Sequence, residues 1–121
     1  VSDPWGEWLN LYYGGVRIGS QSNIVFSNGL LDPWSAGGVY RPRLNPTFGD
    51  NYQGPMVQNL TSDGSMIALI IKFGGHHTDL MYSDEKHDPQ CVIDARRIEN
   101  VYIEKWIREW NENASSQLIR D

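Results

Sequence analysis

Two short stretches hold the side chains best suited to moving protons. Ser27-Asn28-Gly29-Leu30-Leu31-Asp32-Pro33-Trp34 contains an acid, and Phe73-Gly74-Gly75-His76-His77-Thr78-Asp79-Leu80 contains two adjacent imidazoles. A serine hydroxyl becomes nucleophilic when an imidazole accepts its proton, and the imidazole needs a carboxylate on its other nitrogen to fix tautomer and orientation. Asp32 suits the orienting acid and one of the histidines the base. An acid followed by a histidine is the second half of the chain order Ser, Asp, His. The serine would lie upstream, because no Gly-x-Ser-x-Gly turn occurs in the 121 residues. Each residue also has a plainer role: Asp32 before a proline suits a turn, and His76, His77 and His87 each suit a structural position. Trp34 offers an aromatic wall to an apolar ring and equally suits core packing. A zinc site built from His76, His77, Asp79 and His87 fails on geometry, since adjacent histidines on one turn rarely converge and no thiolate assists.

The elements that would carry these residues follow from the pattern. Residues 3–14 place Trp5, Trp8, Leu9, Tyr12 and Tyr13 at helical spacing before Gly14-Gly15, which predicts a short amphipathic packing helix. Ser22–Ser27, with Ile24-Val25-Phe26 at its centre, predicts a buried strand closed by Asn28-Gly29. From Leu30 to Ser65 the chain is rich in Gly, Pro, Asn, Asp and Ser, which predicts one long loop, either functional or a peripheral insertion. Met66–Phe73 is nearly all apolar and predicts a second strand buried on both faces. Asp88 as N-cap and Pro89 at the first helical position open a helix to Asn111, about 35 Å long, with Val92, Ile93, Ala95, Ile98, Val101, Tyr102, Trp106, Ile107 and Trp110 as its apolar stripe. Arg96, Arg97, Glu99, Glu104, Lys105 and Glu109 are expected opposite that stripe.

Both chemistry-bearing turns thus leave the carboxyl ends of strands, where open α/β sheets gather their catalytic groups. Two strands buried on both faces cannot complete a sheet alone, so the chain reads as an incomplete α/β domain. The start Val1-Ser2-Asp3-Pro4-Trp5 has neither a basic nor an apolar leader region and is expected to be a cut end.

A net charge of −5 with scattered Lys and Arg disfavours nucleic acid as a partner. The longest apolar run, Met66 to Ile71, is far short of the about 20 residues that span a bilayer, so no membrane segment is expected. The single cysteine, Cys91, allows no disulfide within the chain and suits a small buried residue or a bridge elsewhere. Asn59-Leu60-Thr61 and Asn113-Ala114-Ser115 would accept N-glycans on a secretory route, and Asn45-Pro46-Thr47 is excluded by its proline.

The segment Ser22–Val39, with its Ser-Asn-Gly-Leu-Leu-Asp-Pro-Trp-Ser-Ala-Gly-Gly core, resembles the aspartate segment of the lysosomal Pro-Xaa carboxypeptidase and dipeptidyl peptidase II family of serine peptidases. Gly74-Gly75-His76-His77-Thr78-Asp79-Leu80 resembles that family's histidine segment. Asp88-Pro89, Ala95-Arg96, Glu99 and Trp106-Ile107 resemble its C-terminal helix, and Tyr13-Gly14-Gly15 also fits. The resemblance covers residues 12–39 and 66–110; it departs in a longer connection at 40–65 and in Thr78, where an apolar residue is more usual.

The resemblance implies the C-terminal part of an α/β-hydrolase fold, namely its last two core strands and closing helix. It implies Asp32 and His76 as the acid and base of the triad, no cofactor, and hydrolysis beside proline in a lysosomal or secreted setting. The partners it implies are a peptide substrate with proline near the scissile bond, an upstream segment or chain carrying the serine and, as an option, a second copy in a homodimer. Alone, the chain should be inactive. The rival expectation is a non-catalytic remnant used for binding or as a scaffold.

Overall fold

Six consecutive apolar residues, Met66–Ile71, form the central strand of a three-stranded sheet, each of them no more than 2% exposed. The computed structural model describes residues 4–13, 15, 21–41 and 51–118. The element order is α1 (Pro4–Tyr13), β1 (Ile24–Gly29), β2 (Val57–Asn59), β3 (Met66–Ile71) and α2 (Gln90–Leu118), with short 3-10 helices at Pro33–Gly37 and Thr78–Leu80. This is a mixed α/β chain with a small sheet and a long helix near its C-terminal end.

The sheet order is β1-β3-β2. β1 runs parallel to β3, with Ile24 opposite Met66 and Gly29 opposite Ile71. β2 is antiparallel to β3, with Val57 opposite Leu69 and Asn59 opposite Ile67. β3 is buried because it has a strand on either side and α2 packed upon it: Leu69 and Ile71 form the core with Val92 and Ala95, flanked by Val25, Met56, Val57, Cys91 and Ile98. Burying one such Leu or Ile stabilises the fold by about 1.5–3 kcal/mol.

The structure corrects several sequence expectations. β1 begins and ends two residues later than Ser22–Ser27, and Ile24, Val25 and Phe26 are only half-buried. Among the described residues no strand lies along its outer edge, so the burial expected of a parallel strand is half realised. β3 stops at Ile71, and Phe73 instead donates its N–H to Cys91 Sγ at the start of α2. The stretch 30–65 is not one structureless loop. It contains the 3-10 helix after Asp32, and β2 supplies the second edge of β3 with a hydrogen-bonding partner. The β2–β3 turn closes through Asp63, whose carboxylate accepts the Ser65 N–H at 3.0 Å. Residues 42–50 of the expected insertion lie outside the described residues.

α2 runs to Leu118 rather than Asn111, and Ser115 and Ser116 each donate a hydroxyl to the carbonyl four residues back, at 2.8 Å. Asp88 does not act as the expected helix cap. Its carboxylate accepts from the Asp84 N–H and from Arg96 Nη1, because a guanidinium projecting from the second turn competes for it. In α1, Leu9 is half exposed, and Trp8 stacks on Tyr12 with ring centroids 4.9 Å apart.

One close approach locks the ends of β1 and β3 together. Leu30 N–H donates to Ile71 O and Leu31 N–H to Gly74 O, both at 3.0 Å. These bonds bring Gly29 so near the second turn that a Cβ on it would lie 2.5 Å from Gly74 O and 2.7 Å from Gly75 O. Gly74 is equally tight, since a Cβ there would meet Ile71 Cγ2 at 2.7 Å. Because backbone cannot rotate away as a side chain can, Gly29→Ala is expected to destabilise by about 1–3 kcal/mol or more. Urea denaturation of the protein against wild type checks this, and a neutral outcome would mean that the two turns can separate without cost.

Candidate active site

The turn after β1 holds Asp32 by its backbone first. Asp32 is the N-cap of the 3-10 helix, in extended conformation at φ −79° and ψ 125°, and Pro33 follows at the first helical position. Its Oδ1 accepts the Trp34 N–H at 2.9 Å. Below it, buried Asn28 donates to Phe26 O at 2.8 Å and reaches Val39 O at 3.4 Å, tying the returning loop to β1. Tyr40 donates its hydroxyl to Ser35 O at 2.6 Å and closes the same loop.

The turn after β3 presents the histidines. Gly75 N–H donates to Thr78 Oγ1 at 2.9 Å, and His77 takes the left-handed conformation at φ 54° and ψ 27°. That conformation is uncommon for a residue with a Cβ, though less costly for histidine than for a β-branched residue. It turns the chain sharply between His76 and the 3-10 helix at Thr78–Leu80. The His76 and His77 rings lie 3.8 Å apart between centroids, tilted by 51°.

The two turns converge. His76 Nδ1 is 2.9 Å from Asp32 Oδ2, and with its proton on Nδ1 the imidazole donates to the carboxylate. The Asp32 side chain is 15% exposed while His76 is 55% exposed, so the acid is covered and the imidazole is open to a reacting group. The Trp34 N–H, and after it His76, hold the Asp32 carboxyl below the usual carboxylate range. Asp32 is thus an anion with one oxygen fixed by backbone and the other facing the ring, which leaves Nε2 to exchange a proton with something else. Such a pair can orient and charge-stabilise a general base.

The remaining sequence candidates fall in different places. Trp34 is 76% exposed, beside the acid and out of the core. His77 stacks near His76 but lies outside the Asp32 pair. His87 bonds locally to Asp84 Oδ2 at 2.7 Å on the exposed turn before α2. Among the described residues, no group of three or more His, Cys, Asp or Glu side chains could hold a metal ion, and no helix is long and apolar enough to cross a membrane.

No family model matches the chain. Over 114 residues, 94% of its length, the chain is 36% identical to the lysosomal Pro-X carboxypeptidase of Homo sapiens, covering 19% of that protein. It is 36% identical over 110 residues to the same enzyme of Mus musculus, 91% of this chain and 18% of the relative. It is also 38% identical over 104 residues to prolyl carboxy peptidase like protein 5 of Caenorhabditis elegans, 86% of this chain and 17% of the relative. The chain is a partial match to the Pro-X carboxypeptidases. It spans about a fifth of the length of the curated relatives it matches, which are peptidases by name and, in the mammals, lysosomal.

Beside this pair lies a second polar group that the sequence reading missed. Ser27 on β1 donates its hydroxyl to Asp79 Oδ2 at 2.7 Å, and Asp79 is buried. Arg96 on α2 grips the histidine turn from behind: Nε donates to Asp79 O and Nη2 to Thr78 O, both at 2.9 Å, while Nη1 binds the Asp88 carboxylate. Glu99 is half-buried against Asp79, and burial first, then Asp79, pushes its carboxyl up to about 7. Arg96 and Glu99 are therefore not on the solvated face expected of them. The signal was present: Glu99 follows Val92 by seven residues and precedes Trp106 by seven, so it sits on the buried stripe itself.

Replacing Arg96 by alanine removes the fork that binds two turn carbonyls and leaves Asp88 without its cation. Arg96→Ala is expected to destabilise by about 2–4 kcal/mol. Arg96→Lys should recover less than half of this, since one ammonium cannot reproduce the planar fork. Denaturant unfolding of both variants at one pH is the measurement.

Proposed function

We propose that this chain is the C-terminal part of an α/β-hydrolase-type serine exopeptidase that cleaves beside proline, with Asp32 and His76 as the acid and base of its triad. The observation that carries the reading is the 2.9 Å contact between the two side chains at the carboxyl ends of neighbouring parallel strands. The partial match to Pro-X carboxypeptidases over 94% of this chain supports the substrate class.

In this reading the serine lies in a part of the protein beyond this chain. His76 Nε2 takes the serine proton as Oγ bonds to the scissile carbonyl carbon, and Asp32 stabilises the imidazolium. His76 then returns that proton to the departing nitrogen as the C–N bond breaks. Water repeats the sequence on the acyl-enzyme and frees the serine. The oxyanion is held by N–H groups outside this chain. On its own the chain hydrolyses nothing.

In the full-length protein, Asp32→Asn should lower kcat by about 10⁴ and His76→Ala by about 10⁶, with KM changed little, because the interactions removed act in the transition state. Fluorophosphonate labelling of the serine should fall in parallel. Wild-type rates in both variants, or an unlabelled wild-type protein, would leave the remnant reading instead.

Trp34, exposed beside Asp32, is proposed as a wall against the proline ring of the substrate. Trp34→Ala should raise KM for a proline substrate by about fivefold to fiftyfold with a smaller effect on kcat, equivalent to about 1–2 kcal/mol of lost apolar contact. Steady-state kinetics on proline and alanine versions of one peptide separate this from a structural effect, which would penalise both alike. Asn59 and Asn113, both exposed, are the proposed glycan acceptors of a lysosomal route.

A further inference from the structure

We propose that Asp79 and Glu99 form a proton-sharing carboxyl pair that clamps the histidine turn to α2, so that His76 is held in place only while that proton is bound. The inference rests on the reading of His76 as the general base and adds positioning residues to it.

Burial and neighbouring charge together favour a proton on Glu99. Asp79 is 7% exposed and belongs to the 3-10 helix that follows the histidines, and Glu99 lies one turn of α2 beyond Arg96, which bonds Asp79 O. Two carboxylates in contact within a poorly solvated site repel unless one is protonated. A cation could replace that proton, and the nearest is Arg96. Its hydrogens are committed elsewhere: Nε to Asp79 O, Nη2 to Thr78 O and Met81 O, Nη1 to Asp88 and Ser83 Oγ. From β1 the pair meets the neutral hydroxyl of Ser27, which bonds Asp79. The imidazoles of His76 and His77 precede Asp79 in the same turn. Glu99 Oε1 is buried with no hydrogen-bond partner among the described residues, a position that favours the neutral carboxyl.

The direction of the pH effect follows. Glu99 holds its proton in the folded state up to about 7, above the ordinary 4.5 of the unfolded chain. Across that interval the folded state binds the extra proton, so stability falls as pH rises from about 4.5 to about 7 and then levels. Above it the pair carries two negative charges, the turn loosens from α2, and His76 loses its alignment on Asp32.

The test compares wild-type full-length protein with Glu99→Gln, whose amide can donate to Asp79 at every pH. By scanning calorimetry, the wild-type melting temperature should decline between pH 5 and 7, and Glu99→Gln should lose most of that slope. In kinetics the ratio of kcat in Glu99→Gln to wild type should rise by about threefold or more between pH 6 and 8, with KM unchanged. Should the variant not fold, infrared titration of the wild type still decides, because a protonated carboxyl band must disappear near pH 7. Equal calorimetric slopes, or no such band, overturn the clamp. If the calorimetry and infrared agree with it but Asp32→Asn retains full activity, the clamp stands and the peptidase reading falls.

Discussion

The whole arrangement depends on how closely two backbones approach where β1 and β3 end. Parallel pairing carries Gly29 level with Ile71, and the bonds from Leu30 and Leu31 extend the contact one step past the sheet, to Gly74. No side chain fits between the turns at that point. Three residues beyond Gly29 comes Asp32, and two beyond Gly74 comes His76, so the same short contact fixes the origin of both loops. A hydrogen bond of 2.9 Å between groups 44 residues apart is reproducible only if both origins are fixed. The glycines do not touch the chemistry, yet they set its distance.

On this base the acid and the imidazole are held by different means. Asp32 is anchored within its own turn, through the Trp34 N–H and the 3-10 helix that Pro33 starts, so its position is a local property. His76 is not locally anchored to the same degree. It precedes a left-handed residue, and the 3-10 helix after it is fastened from outside by Arg96 and Ser27. The imidazole therefore depends on α2 and β1, while the carboxylate is held within its own turn by the Trp34 N–H and the 3-10 helix Pro33–Gly37. A disturbance of α2 should reach His76 and leave Asp32 in place.

Much of this was legible in the residues, and the misses share a cause. The six apolar residues of β3 pointed to a buried strand, and the Asp-Pro and Gly-Gly-His-His turns lie after β1 and β3 as their residues indicated. β2 was invisible because three residues, Val57-Gln58-Asn59, carry no period. They are a strand only because β3 has an open edge, a tertiary demand. Asp88 followed by Pro89 has the pattern of a helix start, but the local rule lost to a guanidinium eight residues away. Arg96 and Glu99 were read as a solvated face by residue type, although the 3.6-residue period puts Glu99 among Val92, Ala95 and Trp106. Type was weighted over position, and position was right.

That same position explains why a charged helix can flank an acid–base site without flooding it with charge. The α2 residues nearest the histidine turn are one cation and one acid. The cation is spent on carbonyl oxygens of the turn and on Asp88, so it fastens the turn while pairing with that carboxylate. The acid is driven toward its neutral form by burial and by Asp79. Net charge beneath the imidazole thus stays low while Asp32 alone supplies the anion in front of it. The carboxylate aligned with the ring's Nδ1 is that of Asp32, at 2.9 Å.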